Sequence, residues 1–151
     1  MIKSLQQPVQ SVIADGRIGS PVFLRCMIQA QIEGTNIVKG MAALTALANT
    51  WMPSPLEQIY AFGSADATQA TVTVQYAGGQ TAILSVNRIP DHQEAAVDLI
   101  LIGSKGVVYH ETPVGRHRLM GTPLEFSGGE GLIDLMEQAM KTGKPVKLIG
   151  G

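Results

Sequence analysis

The stretch ATVTVQYAGGQTAILSVNR, residues 70–88, decides the fold. Val72, Val74 and Tyr76 alternate with Thr71, Thr73 and Gln75, a period of two that suits a strand with one covered face and one polar face. Ala77-Gly78-Gly79-Gln80 supplies a turn, because glycine adopts the positive φ angles of a tight hairpin without steric cost. TAILSVNR then returns antiparallel. The core is therefore expected to be a sheet assembled from hairpins.

Downstream, AAVDLILIG reads as another strand, Gly103-Ser104-Lys105-Gly106 as a second tight turn, and VVYH as the partner strand, so the centre of the chain predicts a meander. Upstream, LEQIYAFGS and PVFLRCMIQAQ carry the β-branched and aromatic residues of strands. Three segments change to the helical period. Ile2, Leu5, Val9, Val12 and Ile13 predict a helix over about residues 5–15, with Pro8 near its first turn and Asp15-Gly16 as its stop. Ile37, Met41, Leu44, Ala48 and Trp51 form the stripe of a second helix, capped by Thr35 or Asn36 and ended by Pro53 and Pro55. Val38, Ala42 and Leu47 make much of its remaining surface apolar, so it is expected to be buried in the core or against a partner. Leu132, Leu135, Met136, Ala139 and Met140 mark a third helix, with Gly143 at its end and Pro145 beyond, and PVKLI follows as an edge strand. The order helix, strand, helix, run of strands, helix predicts an α+β fold: a mainly antiparallel or mixed open sheet with helices packed on one face.

The totals fit one domain spanning residues 1–151. Eleven basic and twelve acidic side chains leave a formal charge of −1, and the basic residues are scattered, which argues against nucleic-acid capture. Cys26 is the only cysteine, so no intrachain disulfide exists and a cytoplasmic setting is expected. No apolar run has the length of a membrane span, and the first residues carry no apolar signal core. With 15% charged residues there is little polar material to coat a monomer, which points to a homo-oligomer associating through the sheet face or the apolar helix.

Four phrases, in order, resemble the C-terminal domain of the Gfo/Idh/MocA oxidoreductases: VIADGRIGSPVFLRCM, GTNIVKGMAALTALANTWM, ATVTVQYAGGQTAILSVNR and LILIGSKGVVYHE. Together they cover most of residues 10–112, while residues 113–151 match only in general character. The resemblance implies an oxidoreductase-like α+β domain whose open sheet face lines a substrate cleft or packs against another subunit. In that family the glycine-rich dinucleotide fingerprint and the catalytic lysine belong to an N-terminal Rossmann domain. No G-x-G-x-x-G opening a helix occurs here, so no cofactor is expected on this chain, and NAD(P) only with a partner Rossmann domain. The helix that often carries an acid/base histidine and an aspartate in the family reads MAALTALA, with Leu44 and Leu47 near those places.

The residues themselves offer few chemical centres. His92, His110 and His117 lack the close pairing of metal ligands. Asp91-His92, beyond Arg88, is the most reactive-looking pair but reads first as a polar turn. Arg116-His117-Arg118 has the chemistry to hold a carboxylate or phosphate, or simply to be solvated. Cys26 reads as a small buried hydrophobe, Gly103–Gly106 as a hairpin rather than a phosphate loop, and the methionines as packing. For a small hydroxylated ligand, the candidate contacts are Thr73, Gln75, Asn87, Arg88, Asp91, His92 and Arg116.

Two functions are consistent with this reading. The first is a stand-alone, non-catalytic domain serving oligomerisation and small-ligand binding. The alternative is the substrate-binding part of an NAD(P)-dependent sugar or small-molecule dehydrogenase whose Rossmann domain is on another chain or was removed.

Overall fold

A computed structural model describes residues 2–32, 36–64, 66–90, 93, 95–112 and 128–148. The elements run α1 (Ile2–Ala14), β1 (Pro21–Ala30), α2 (Asn36–Trp51), β2 (Leu56–Phe62), β3 (Gln69–Tyr76), β4 (Thr81–Arg88), β5 (Ala96–Gly103), β6 (Val107–Thr112), a 3-10 turn (Glu130–Leu132), α3 (Ile133–Thr142) and β7 (Val146–Lys147). The fold is α+β, as the order of sequence periods predicted.

The seven strands form one sheet in the order β6-β5-β1-β4-β3-β2-β7. Both hairpins read from the sequence are present: β3 pairs β4 with Val74 opposite Ala82, and β5 pairs β6 with Ile100 opposite Tyr109. The simple meander is not. β1 inserts between β4 and β5, parallel to the first and antiparallel to the second, so the sheet is mixed, with a single parallel pair among the described residues. A parallel neighbour needs a long connection, and here the chain between β1 and β4 contains α2, β2 and β3. Nothing in a strand's own alternation reports such a distant partner.

Alternation sorts the sheet into two faces. Leu24, Cys26 and Ile28 of β1, Val72, Val74 and Tyr76 of β3, Ala82, Leu84 and Val86 of β4, and Val97, Leu99 and Leu101 of β5 are buried in one core with the helices. The stripe Ile37, Met41, Leu44, Ala48 and Trp51 of α2 is buried with them, as are Val38, Ala42 and Leu47. The low charge of α2 thus reflects burial inside the domain.

Local signals explain most boundaries. Gly143 takes φ 63° at the end of α3 and donates its N–H to the Ala139 carbonyl, while Lys141 sits in the last turn where it favours the helix dipole. β7 pairs with β2 at the sheet edge as expected. α1 differs from expectation, because it begins at Ile2 and holds Pro8 in its interior. Pro8 lies on the exposed side of the helix, and Leu5 and Val9 still bury toward the core.

Candidate functional site: the open face of the sheet

The face opposite the helices presents four rows of residues, fixed by strand register. One runs Val107, Ile102, Phe23, Thr81, Gln75 and Gln58 from β6 to β2. The next runs Tyr109, Ile100, Arg25, Ile83, Thr73 and Tyr60. A third places Asp98, Met27, Ser85, Thr71 and Phe62 in line, and the last Ala96, Gln29, Asn87 and Gln69. Apolar side chains concentrate toward β5 and β6, where Val107 is 60% and Tyr109 59% exposed, and Phe62 stands out at the opposite edge at 70%. Hydroxyl and amide groups fill the middle.

Of the ligand contacts expected from sequence, the structure brings Thr73, Gln75 and Asn87 onto this one face. Thr73 is half-buried beside Ile83, Gln75 is exposed, and the Oδ1 of Asn87 is buried without a hydrogen-bond partner. Arg88, one residue further, projects the opposite way. Its Nη1 donates to the Ile32 carbonyl and its Nε to the Ala67 carbonyl at 3.4 Å, while its backbone N–H bonds Thr68. It therefore ties the end of β4 to the segment after β1 and to the β2–β3 loop. Asp91, His92 and Arg116 lie outside the described residues.

Sequence reasoning missed two features of this face. Thr71 and Ser85 share a hydroxyl–hydroxyl hydrogen bond of 3.0 Å across β3 and β4. Arg25 and Asp98 face each other diagonally across β1 and β5, with Nη2 to Oδ2 at 3.8 Å, and the second carboxylate oxygen, Oδ1, is buried without a partner. Such diagonal pairing depends on register, which only the assembled sheet supplies.

The remaining candidates have structural roles. Burial pushes the Cys26 thiol up to about 12, with the nearby Asp98 carboxylate adding to the effect, so it is a protonated core residue rather than a nucleophile. Leu44 and Leu47 are buried apolar residues of the core. His110 sits on the edge strand β6 with its Nε2 buried and unpartnered, and the described residues contain no metal-sized cluster of His, Cys, Asp or Glu. Among the described residues, no helix is long and apolar enough to cross a membrane.

The glycine-flanked turn Gly103–Gly106 does not cradle a phosphate either. A phosphate loop needs free backbone N–H groups at a helix start. In Gly103–Gly106 these groups are used internally: Gly103 N–H bonds the Gly106 carbonyl, Ser104 N–H that of Ser20, and Lys105 N–H that of Ile18. The Gly103–Gly106 turn is therefore a closed hairpin and not a phosphate loop.

The solved structures that share this mixed sheet with helices on one face are dehydrogenases of the Gfo/Idh/MocA type. The chain matches the solved structure of a myo-inositol dehydrogenase from Corynebacterium glutamicum with a TM-score of 0.67 at 13% identity, covering 97% of this chain and 62% of that one. A putative myo-inositol dehydrogenase from Sinorhizobium meliloti 1021 gives 0.67 at 15% identity, with 94% and 61% covered. The WlbA dehydrogenase from Bordetella pertussis, solved with NADH and UDP-GlcNAcA, gives 0.64 at 12% identity, with 94% and 60% covered. At these identities the likeness is one of fold, and the chain spans less than two thirds of each of these dehydrogenases. No family model and no curated protein matches it.

Proposed function

We propose that the chain is a non-catalytic, oxidoreductase-C-terminal-like domain that associates with a second copy through its open sheet face, and whose polar residues on that face receive a small hydroxylated ligand. The observation that carries this reading is the exposure, among the described residues, of Ile102, Val107 and Tyr109 together on the face opposite the described helices. Contiguous apolar surface of this kind, rimmed by polar groups, is characteristic of association sites. Thr73, Gln75 and Asn87 supply hydroxyl and amide groups suited to a polyol, and Asp91, His92 and Arg116 stay part of the proposed ligand set. The single, buried Cys26 goes with a cytoplasmic location. The test is Ile100→Asp, which puts a charge in the centre of the face without touching the core. A drop to monomer mass with unchanged circular dichroism supports the reading, and an unaltered oligomer overturns it.

A second reading has its own support. The likeness to sugar and inositol dehydrogenases over about 60% of their length favours a substrate-side part of an NAD(P)-dependent dehydrogenase, completed by a Rossmann domain elsewhere. Co-purification with a separate dinucleotide-binding chain, and NAD(P)-dependent oxidation of myo-inositol by the pair, would establish it. Failure of any such chain to bind, alongside a stable homo-oligomer, would leave the first reading in place.

A further inference from the structure

We infer that β7 is an edge guard: through Pro145 and the charges of Lys144 and Lys147 it closes the β2 side of the sheet against the addition of a further strand. β2 needs such cover. Residues 58–62 of that strand carry no charge and include Ile59, Tyr60 and Phe62, the branched and aromatic side chains of a strong strand former, and Phe62 is 70% exposed at the end. A strand of this kind left at a sheet edge offers its backbone N–H and C=O groups to any other extended chain.

β7 covers β2 and at the same time ends the ladder. Val146 pairs with Ile59 and Lys147 with Gln58, and the Leu148 N–H donates to the Glu57 carbonyl at 2.9 Å. By alternation, Val146 and Leu148 turn their backbone groups toward β2, while Pro145 and Lys147 turn theirs outward. Proline has no N–H to give. The N–H of Lys144 is taken by the Thr142 hydroxyl at 3.3 Å, so within residues 144–148 the outer side of β7 presents a single donor, the N–H of Lys147. An added strand needs a donor at every second residue of the edge, and its ladder stops here. The side chains oppose it as well. Lys144 and Lys147 are exposed and have no ion-pair partner among the described residues, so a strand laid alongside strips water from both ammonium groups with no acid to offset the loss. A short edge strand bearing proline and lysine is a means by which sheets resist edge-to-edge pairing. These groups lie in the plane of the sheet, so the guard is independent of how the open face is used.

The test combines Lys144→Thr, Pro145→Val and Lys147→Val in the full chain and follows sedimentation velocity and thioflavin T fluorescence beside the native protein. The triple variant is expected to keep the native circular dichroism and then to build species above the native mass, with a rise in thioflavin T signal of at least about tenfold. Placing Glu instead of Thr and Val at positions 144 and 147, with Pro145→Val retained, restores charge to the edge and is expected to hold the native mass. Should the triple variant fail to fold, Lys144→Thr with Lys147→Val, which leaves Pro145 in place, carries the same expectation. A folded variant that keeps the native mass and signal overturns the guard, as does assembly that the acidic version shows equally or that appears only with loss of native circular dichroism. The open-face reading is judged by Ile100→Asp and by none of these variants.

Discussion

The hydroxyl of Tyr76 on β3 donates to Oδ1 of Asn49 on α2 at 2.8 Å, fastening the sheet to its principal helix at a point where the ring is buried. A buried hydroxyl is tolerated only with a partner, and this one also fixes the height of α2 over the sheet. Removing it by Tyr76→Phe leaves the Asn49 carbonyl without its donor. The expected loss is about 1–2 kcal/mol, or roughly 3–6 °C in Tm, read by thermal unfolding. An unchanged Tm would show that the bond adds nothing net.

The β5–β6 turn is clasped against the loop before β1. Besides the hydrogen bonds of Ser104 and Lys105, a Cβ on Gly103 would lie 2.1 Å from the Ile18 carbonyl oxygen, a backbone atom with no room to yield. Gly103→Ala is therefore expected to destabilise by about 2–4 kcal/mol through overpacking. Gly131→Ala, whose Cβ would meet nothing within 4 Å, serves as the control and is expected to be neutral or slightly stabilising. Urea titrations of the two variants separate the outcomes.

Burial of Cys26 links stability to alkaline pH. Its thiol is raised from 9.0 to about 12 in the folded chain, so the folded state keeps its proton while the unfolded state loses it. The contribution is present in full below pH 9 and is lost progressively as pH rises toward 12; Tyr76, also raised by burial, acts in the same direction at higher pH. Cys26→Ala is expected to flatten the fall in stability between pH 9 and 11 even as it lowers stability at pH 7 by leaving a small cavity. Parallel pH–stability curves for variant and native protein would contradict the assignment.

The parts of the fold written in short-range pattern were legible beforehand. The two hairpins follow from alternation and glycine turns, the stripe of α2 from its helical period, and the end of α3 from Gly143. The insertion of β1 beside β4 was not, because Leu24 and Ala82 are partners separated by the whole of α2, β2 and β3. The site divides in the same way. Thr73, Gln75 and Asn87 share a face because every second residue does, a fact the sequence carries. Arg88 turned out to hold two backbone carbonyls, and Arg25 and Asp98 to face each other, because those relations depend on loops and register settled by tertiary packing.

The most direct measurement is the mass of the native chain by analytical ultracentrifugation over a dilution series in the micromolar range. The expected mass is twice the 16.0 kDa of one chain, or a multiple of it, falling toward the monomer only on dilution or after Ile100→Asp. A steady 16.0 kDa across the series, with the face still carrying its exposed Val107 and Tyr109, would contradict it.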